Sequence, residues 1–466
     1  MHRSKNNSIK KLPVLLIIAF VILIIVGFIY LLLNKSKEEN TSLIENNINE
    51  TEISESIEDI QTAENNDTNN IPSTSVESDQ EESEYAFVEK LAFVPDEFEK
   101  VQNFFGPLPE MKQNHTFEHQ KVKAIYVNNM DYLDHYFELV EGTEVNAFVI
   151  DVKESWGLLY ESELPLAKEL NAIKDDRDLV DIFKRCHDND ILVIARIVCF
   201  KDSTMASTRP DLTISTKDNT PIEFPLEGYE TFANPYDQDV WQYLIDVATE
   251  VISFGADEIQ FDYIRFPSGQ PADGATPYFG EPDEVPLKYS AINRFLQTAV
   301  IEIQENQNVP VGADLFSIVM TSDVDGKEIG QFWNFIGLTG IDNICPMIYP
   351  SHYTNASVGG VLGNGVGTVL GNNLYEAPDL EPYNVVRDAF VDGMPAIEQE
   401  GYATIRPYLQ AFTAEYLPSG YYMEYTAKEI HEQIRASEDA GFDEWVLWNV
   451  QKEYPPGTFL PAENAD

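Results

Sequence analysis

The sequence has little that would support several common kinds of chemistry. It contains 3 cysteines and 7 histidines, and it has no Cys-x-x-Cys pair, no His-Glu-x-x-His motif and no Gly-x-Ser-x-Gly motif. A disulfide framework, a zinc protease and a serine hydrolase are therefore unsupported. Cys199 and Cys345 lie in apolar runs and are predicted to be small core residues. We expect no bound metal and no cofactor.

Basic residues are also scarce. The chain carries 30 Lys and Arg against 79 Asp and Glu, a formal net charge of −49. Nucleic acids and anionic lipid surfaces are bound through basic surfaces. We therefore expect no nucleic-acid partner.

One long apolar run stands near the N-terminus, at residues 12–33, and its length suffices for a helix that crosses a bilayer. Arg3, Lys5, Lys10 and Lys11 precede it, which favours a cytoplasmic N-terminus over residues 1–11. A cleaved signal peptide is the alternative, but the run is long for one and no small-residue cleavage site follows it. The prediction is a single-pass anchor in the cell membrane, with the rest of the chain extracellular.

Residues 34–84 are rich in Glu, Asn, Ser, Thr and Asp, with isolated isoleucines. Such a composition buries too little apolar surface to offset the entropy of ordering, so an extended acidic linker is predicted. Residues 85–120 form a transitional N-terminal extension, and the globular domain is expected over residues 121–460.

Within that domain, eight apolar runs alternate with helical patterns over about 330 residues, as in an α/β fold of the (β/α)8 TIM barrel type. A doubly wound open sheet is the alternative, but residues 127–130 lack the glycine-rich loop expected after its first strand. Helices are predicted over 178–188, 235–254, 288–306 and 426–440. The predicted strands cover 122–127, 145–152, 191–200, 256–264, 309–316, 341–349, 404–412 and 443–449.

Several predicted strands end in polar side chains. Catalytic groups of TIM barrels lie at the carboxyl ends of the strands, so these side chains are predicted to converge on one mouth. Alternation puts Asp151 with Lys153, and Gln260 with Asp262, on shared faces. The later strands contribute Asp314, Tyr349, Arg406, Tyr408, Gln410, Trp448 and Asn449.

Three of these side chains, Asp151, Asp262 and Asp314, are carboxylates and candidates for catalysis. Glycosidic cleavage needs one carboxylate to attack or stabilise the sugar and a second, protonated one to serve the leaving oxygen. An arginine paired with Asp262 would keep it ionised, and Arg196 and Arg265 are the candidates; a loop-pinning salt bridge is the alternative for Arg265. The predicted substrate-binding residues are Lys153, Arg196, Arg265, Tyr349, His352, Gln410, Trp448 and Asn449.

The segment from Asp257 to Pro267 (DEIQFDYIRFP) resembles the signature of a bacterial family of glycoside hydrolase domains. Segments 148–153, 194–198, 312–316, 329–331 and 346–352 resemble the same family in the same order. The resemblance spans roughly residues 122–454 and implies a TIM barrel distantly related to α-amylase-like hydrolases. It also implies that Asp262 is the nucleophile.

The sequence departs from the α-amylase-like pattern at two positions. Gln260 stands where those enzymes have an arginine, and Asp314 stands where they have a glutamate acid. Glu154 and Asp151 are therefore alternative acids. Another glycosidase clan would require a glutamate where Gln410 stands.

Two functions follow as hypotheses. The first is a membrane-anchored extracellular glycoside hydrolase that acts on a cell-wall or other extracellular polysaccharide. The second is a catalytically inactive barrel that binds cell-wall glycan or organises surface assembly. A polysaccharide deacetylase would need a histidine-rich metal set that the sequence does not show.

Overall fold

The structure is a computed structural model that describes residues 89–109, 116–355, 367–451 and 453–462. Within those ranges, no helix combines the length and apolarity needed to cross a membrane. The predicted basic N-terminus (1–11), anchor (12–33) and acidic linker (34–84) lie outside the described residues.

Eight parallel strands form a closed barrel, as the sequence predicted. Each strand pairs with the next along the chain, and the last pairs with the first, which excludes an open sheet. The strands are β1 Lys123–Val127, β2 Ala147–Glu154, β3 Leu192–Val198, β4 Glu258–Asp262, β5 Val311–Phe316, β6 Asn343–Ile348, β7 in two parts (Thr404–Ile405 and Tyr408–Gln410) and β8 Trp445–Trp448.

Helices surround the barrel. The predicted helices are present, including the one that starts with a capping box between Thr426 and Glu429. A π-helix, Val300–Glu305, continues the helix that starts at Lys288. The α-helices are α1 Pro95–Phe105, α2 Leu133–Val140, α3 Pro165–Glu169, α4 Leu179–Asp188, α5 Gln238–Ser253, α6 Lys288–Ala299, α7 Asp323–Ile329, α8 Trp333–Ile336, α9 Pro382–Ile397 and α10 Ala427–Asp439.

Alternation along the strands separates two cores. Side chains that point inward fill the barrel, among them Ala124, Val149, Ile194 and Val446, and those that point outward pack under the helices. Buried Cys199 and Cys345 are free thiols in these cores, as predicted.

Two additions to the barrel were not predicted. Strand β2 pairs antiparallel with Gly157–Tyr160, which in turn pairs with Ile173–Arg177. The turn between β2 and Gly157–Tyr160 exposes Trp156 beside the barrel mouth. A second hairpin, Thr368–Leu370 with Asn373–Tyr375, lies between β6 and α9.

Candidate active site

Three successive strands bring two carboxylates and an arginine together at the carboxyl end of the barrel. Asp151 on β2 is the register partner of Arg196 on β3. Val198, two residues beyond Arg196 on β3, is the register partner of Asp262 on β4, so Asp262 lies closer to the mouth than Arg196 does. All three charged side chains are buried. We call the group Asp151, Glu154, Arg196, Asp262 and Asp314 the mouth cluster.

Arg196 is the centre of the mouth cluster. Its Nε donates to Asp262 Oδ2 at 3.0 Å, and Nη2 donates to the same oxygen. Its Nη1 donates to Asp151 Oδ1 at 2.6 Å and to Glu154 Oε1 at 3.3 Å. Burial opposes the positive charge, but Asp262, Asp151 and Glu154 outweigh it and raise the pKa of Arg196 well above its usual value.

Two aromatic rings support this arrangement from β1 and β8. Tyr126 donates its hydroxyl proton to Asp151 Oδ2, and its ring stacks on Trp448 at a centroid distance of 3.8 Å. The Arg196 guanidinium lies 5.6 Å from the Trp448 ring centroid, a cation–π distance. The two rings fix the plane of the guanidinium and so the positions of the carboxylates bound to it.

A strained backbone follows Asp262 directly. Tyr263 adopts φ 50°, in the left-handed region that a tyrosine rarely occupies. In this conformation its N–H donates to Asp262 Oδ1 at 2.5 Å. Such strain is concentrated at functional sites, where the surrounding structure imposes it.

Glu154 ends β2 at the rim of the mouth, with 27% of its side chain exposed. Its pKa is raised, mainly by partial burial and then by the charge of Asp151, although Arg196 opposes the shift. Glu154 therefore tends to hold its proton beside a permanently charged guanidinium. A glutamate in this state can donate a proton to a group that enters the mouth.

Asp314 on β5 is more deeply buried, at 1% exposure. Burial, followed by the charge of Asp262, raises its pKa well above the usual range, and no described residue donates a hydrogen bond to either carboxyl oxygen. The register of β4 on β5 makes Asp314 the lateral neighbour of Asp262. Burial beside Asp262 therefore favours the neutral form of Asp314.

Tyr349 lies just beyond β6 and faces the same interior. Burial raises the pKa of its hydroxyl well above the usual value, and the neighbouring Asp314 and Asp262 add to the shift. Its ring meets His352 edge-on at 4.9 Å, which places His352, itself exposed, at the rim next to the mouth cluster. The structure therefore places both residues near the mouth cluster, at the end of β6.

Two cations predicted to bind substrate lie elsewhere, which corrects the prediction from alternation. A β-bulge between Asp151 and Lys153 shifts the register of β2. Lys153 is consequently fully buried, and its Nζ lies 2.8 Å from Asp202 Oδ2. Arg265 binds Glu227 at 2.8 and 3.1 Å and does not pair with Asp262 in the described structure, so it pins a loop.

Two amides are engaged in structural hydrogen bonds and one arginine lies away from the mouth, in contrast to the prediction. Gln410 is fully buried and holds Asp379 and the backbone N–H of Ser351. Asn449 stabilises a turn through Glu453 O and the N–H of Gln451. Arg406 lies at the opposite end of the barrel with Glu258 and Glu444, because it precedes Tyr408 on the same face by two residues.

Sequence reasoning did not single out Tyr126 as a site residue. It stands in an apolar run, where an aromatic residue is typical of a core. The alternation Val122, Ala124, Tyr126 nevertheless points it into the barrel at the carboxyl end of β1.

The mouth cluster has no arrangement suited to a metal. Across the parts of the chain that the structure describes, no group of three or more His, Cys, Asp or Glu side chains is placed to hold a metal ion.

Comparisons with known proteins give a family and a fold. A family model described as "Putative glycosyl hydrolase domain" matches residues 122–454. The chain is similar to a hypothetical protein from Ruminiclostridium thermocellum ATCC 27405, with 34% identity over 41% of this chain and 96% of that one and a TM-score of 0.36. It is also similar to the PgaB (BpsB) glycoside hydrolase domain from Bordetella bronchiseptica, with 11% identity over 71% and 94% of the two chains and a TM-score of 0.50, a likeness of fold. No curated protein matches the chain.

Proposed function

Since the chain belongs to that family of glycosyl hydrolase domains, we propose that it cleaves glycosidic bonds, with Asp262 as the nucleophile and Glu154 as the general acid. The family match confirms the resemblance that the sequence motifs predicted. The observation that carries the proposal is the Arg196 guanidinium, which binds both carboxyl groups. One guanidinium thus holds two carboxyl groups at the same mouth, and a pair of carboxyl groups is what glycosidic cleavage requires.

The proposed first step forms a bond between a carboxylate oxygen of Asp262 and the anomeric carbon. The bond from that carbon to the leaving oxygen breaks, and Glu154 transfers its proton to that oxygen. In the second step Glu154, now ionised, takes a proton from water as the water oxygen attacks the anomeric carbon. This releases Asp262 as a carboxylate and leaves Glu154 protonated again.

Arg196 binds its two partners differently. Its two hydrogen bonds to Asp262 orient the carboxyl group that attacks the sugar. Glu154 receives one longer bond and keeps a raised pKa because of burial and Asp151. A carboxyl group with a raised pKa is suited to act as the general acid, and the carboxyl group held by the stronger bonds is suited to attack.

Asp314 is the alternative acid. It also has a raised pKa, but at 1% exposure it is less accessible to a leaving oxygen than Glu154. Its part in the proposal is to stay neutral beside Asp262, so that the mouth carries one fewer negative charge.

Gln260 stands where α-amylase-like enzymes have an arginine, and its contacts support the assignment of Asp262 as the nucleophile. Gln260 is fully buried, donates to Cys345 Sγ at 3.1 Å and accepts from the Tyr408 hydroxyl. The guanidinium beside the nucleophile comes instead from Arg196, on the neighbouring strand. The departure noted in the sequence is thus compatible with catalysis.

For the substrate and location, we propose a cell-wall or other extracellular polysaccharide, reached from a membrane anchor at residues 12–33 through the acidic linker at 34–84. The support for this part is the sequence: an apolar run of sufficient length, preceded by basic residues and followed by a polar acidic segment.

The test is hydrolysis of a panel of polysaccharides by the full-length protein in mild detergent, for the wild type and Asp262→Asn. We expect the wild type to release reducing ends and Asp262→Asn to lose at least about 1000-fold in kcat, since it lacks the attacking carboxylate. Asp273→Asn is the matched control, because Asp273 is exposed and has φ 54°, a conformation that asparagine accepts.

Equal cleavage by the wild type and Asp262→Asn would refute the mechanism. Glycan binding by both proteins without release of product would instead support a catalytically inactive, glycan-binding barrel.

A further inference from the structure

A cavity of about 390 Å³ opens beside the mouth cluster, at the ends of β5 and β6. Phe316 and Met347, register partners on these strands, form one wall. Phe316 lies two residues beyond Asp314, so both point to the same side of the sheet, about 7 Å apart along the strand. The cavity therefore lies next to the proposed point of cleavage.

Tyr349 connects the cavity to the mouth cluster. It is buried near Asp314 and Asp262, both of which contribute to the raised pKa of its hydroxyl, and its ring contacts His352, which lines the cavity. A glycan that places one sugar at Asp262 can therefore place a neighbouring sugar in the cavity.

The lining of the cavity is uncharged and largely apolar. Phe316, Ile318, Met347 and Leu417 supply apolar surface, and no Asp, Glu, Lys or Arg is among the lining residues. The polar groups are mostly hydroxyls, and the Tyr416 hydroxyl donates to Ser351 Oγ at 2.9 Å. A hydroxyl that accepts one bond can still donate its own proton.

On the basis of the proposed function, we propose that this cavity is a subsite for an N-acylated amino sugar of the glycan. The acyl methyl group would pack against Met347 and Leu417, and the amide would bond to hydroxyls such as that of Ser351. The cavity volume lies within the range of small-molecule sites.

Other substituents fit this lining less well. A free amine would be charged and would need a carboxylate partner, and a uronate, sulfate or phosphate would need a cation. His352 does not supply one, because desolvation lowers the pKa of its imidazole to about 4. A plain hydroxyl would leave the apolar wall without a contact. An amide with a methyl group matches both the apolar wall and the hydroxyls.

The test uses three methyl glycosides, those of N-acetylglucosamine, glucosamine and glucose, which share one ring and differ at one substituent. Saturation-transfer NMR with the full-length protein measures binding without depending on linkage or hydrolysis. We expect the acetylated sugar to bind about tenfold more tightly than the other two. We also expect its acetyl methyl to receive the strongest saturation.

Two variants locate the binding. Met347→Gln replaces the apolar wall, and Tyr416→Ala removes a ring that is 63% exposed, so its loss should leave the fold intact. Each should reduce affinity for the acetylated sugar about five- to tenfold. The matched control is Leu374→Asn, an exposed leucine on the hairpin Thr368–Leu370/Asn373–Tyr375, which should bind like the wild type.

Equal binding of the three sugars, or unchanged binding by both cavity variants, would overturn the subsite. Neither result would affect the proposed hydrolysis, which is measured on polysaccharides. Conversely, a preference for the acetylated sugar without cleavage of any polysaccharide would keep the subsite and reject the hydrolase.

Discussion

Each end of the barrel holds a buried arginine between carboxylates, but the two arginines have different surroundings. At the mouth, Arg196 binds Asp262, Asp151 and Glu154. At the opposite end, Arg406 binds Glu258 at 2.7 Å and Glu444 at 3.0 Å. We call this second group, together with His119 and Asp342, the floor cluster.

The two clusters differ in the hydrogen bonds that their carboxyl groups accept from residues other than the arginine. In the floor cluster, Glu258 also accepts from Asn343 at 3.1 Å, and Glu444 also accepts from the Val122 N–H at 3.1 Å and binds His119. Gly312 leaves room for this packing, since a Cβ there would lie 2.5 Å from Asn343 Oδ1. Burial raises the pKa of Glu258 in the floor cluster as well as those of Glu154 and Asp314 at the mouth, so the clusters differ in bonding and access. At the mouth, Asp314 accepts no hydrogen bond from a described residue, and Glu154 is 27% exposed and accepts from Arg196 at 3.3 Å. Fully bonded carboxyl groups stabilise a fold, whereas carboxyl groups with unused bonding capacity at an open mouth are available for chemistry.

Glu154→Gln, at the mouth, should have the largest effect of the variants that compare the two clusters. Removing the proton donor should lower kcat/KM on a polysaccharide about 100- to 10,000-fold. The loss should be smaller on an aryl glycoside whose leaving group needs no proton, and added azide should restore turnover as glycosyl azide. In the wild type, activity should fall as pH rises through the raised pKa of Glu154, and Glu154→Gln should lack this step.

Asp314→Asn is the comparison for this experiment. It should keep the pH profile of the wild type on the aryl glycoside. If azide rescues Asp314→Asn and not Glu154→Gln, then Asp314 is the acid.

The second test is Arg406→Met, at the floor. The change leaves Glu258 and Glu444 buried without their cation, which should cost about 3 to 5 kcal/mol in the free energy of unfolding. Urea unfolding measures this cost, and kcat per folded molecule should stay unchanged because the floor is at the other end of the barrel. The triple variant with Glu258→Gln and Glu444→Gln should recover part of the stability. A fall in kcat without loss of stability would mean that the two clusters are not functionally separate.

Much of the barrel was predictable because its strands are buried on both faces and so appear as continuous apolar runs. Alternation then placed Asp151 and Asp262 at the mouth, and Arg196 was a candidate partner for Asp262. Alternation along a strand predicts the face of the sheet on which a side chain lies, but not its position along the barrel axis. Arg406 was therefore predicted at the mouth, although it lies at the floor. It also assumes a regular strand, and the β-bulge after Asp151 directs Lys153 away from the mouth.

The partners of charged residues were less predictable, because they come from distant segments. Glu227, which binds Arg265, lies 38 residues before it along the chain. The cavity beside Phe316 likewise depends on Leu417, about 100 residues away in the sequence, and on packing that no local pattern encodes. Tyr126 could have been recognised from the alternation of β1, but nothing in the sequence distinguishes a ring that bonds to Asp151 from one that fills the core.

The smallest expected effect concerns His119, which joins the floor cluster from the segment that precedes β1. Its hydrogen bonds to Asp342 and then Glu444 raise the pKa of His119 from 6.5 to about 10. Between these two values the folded protein holds a proton that the unfolded chain has lost, so stability should fall as pH rises from 6.5 to 10 and should be constant just below 6.5. The ring is partly solvated, so we expect a contribution of only about 1 to 2 kcal/mol. Urea unfolding at pH 6, 8 and 10 should show this decline in the wild type and a shallower one in His119→Gln. Equal slopes for the two proteins would show that the charge of His119 does not stabilise the floor, while activity per folded molecule should be the same for both.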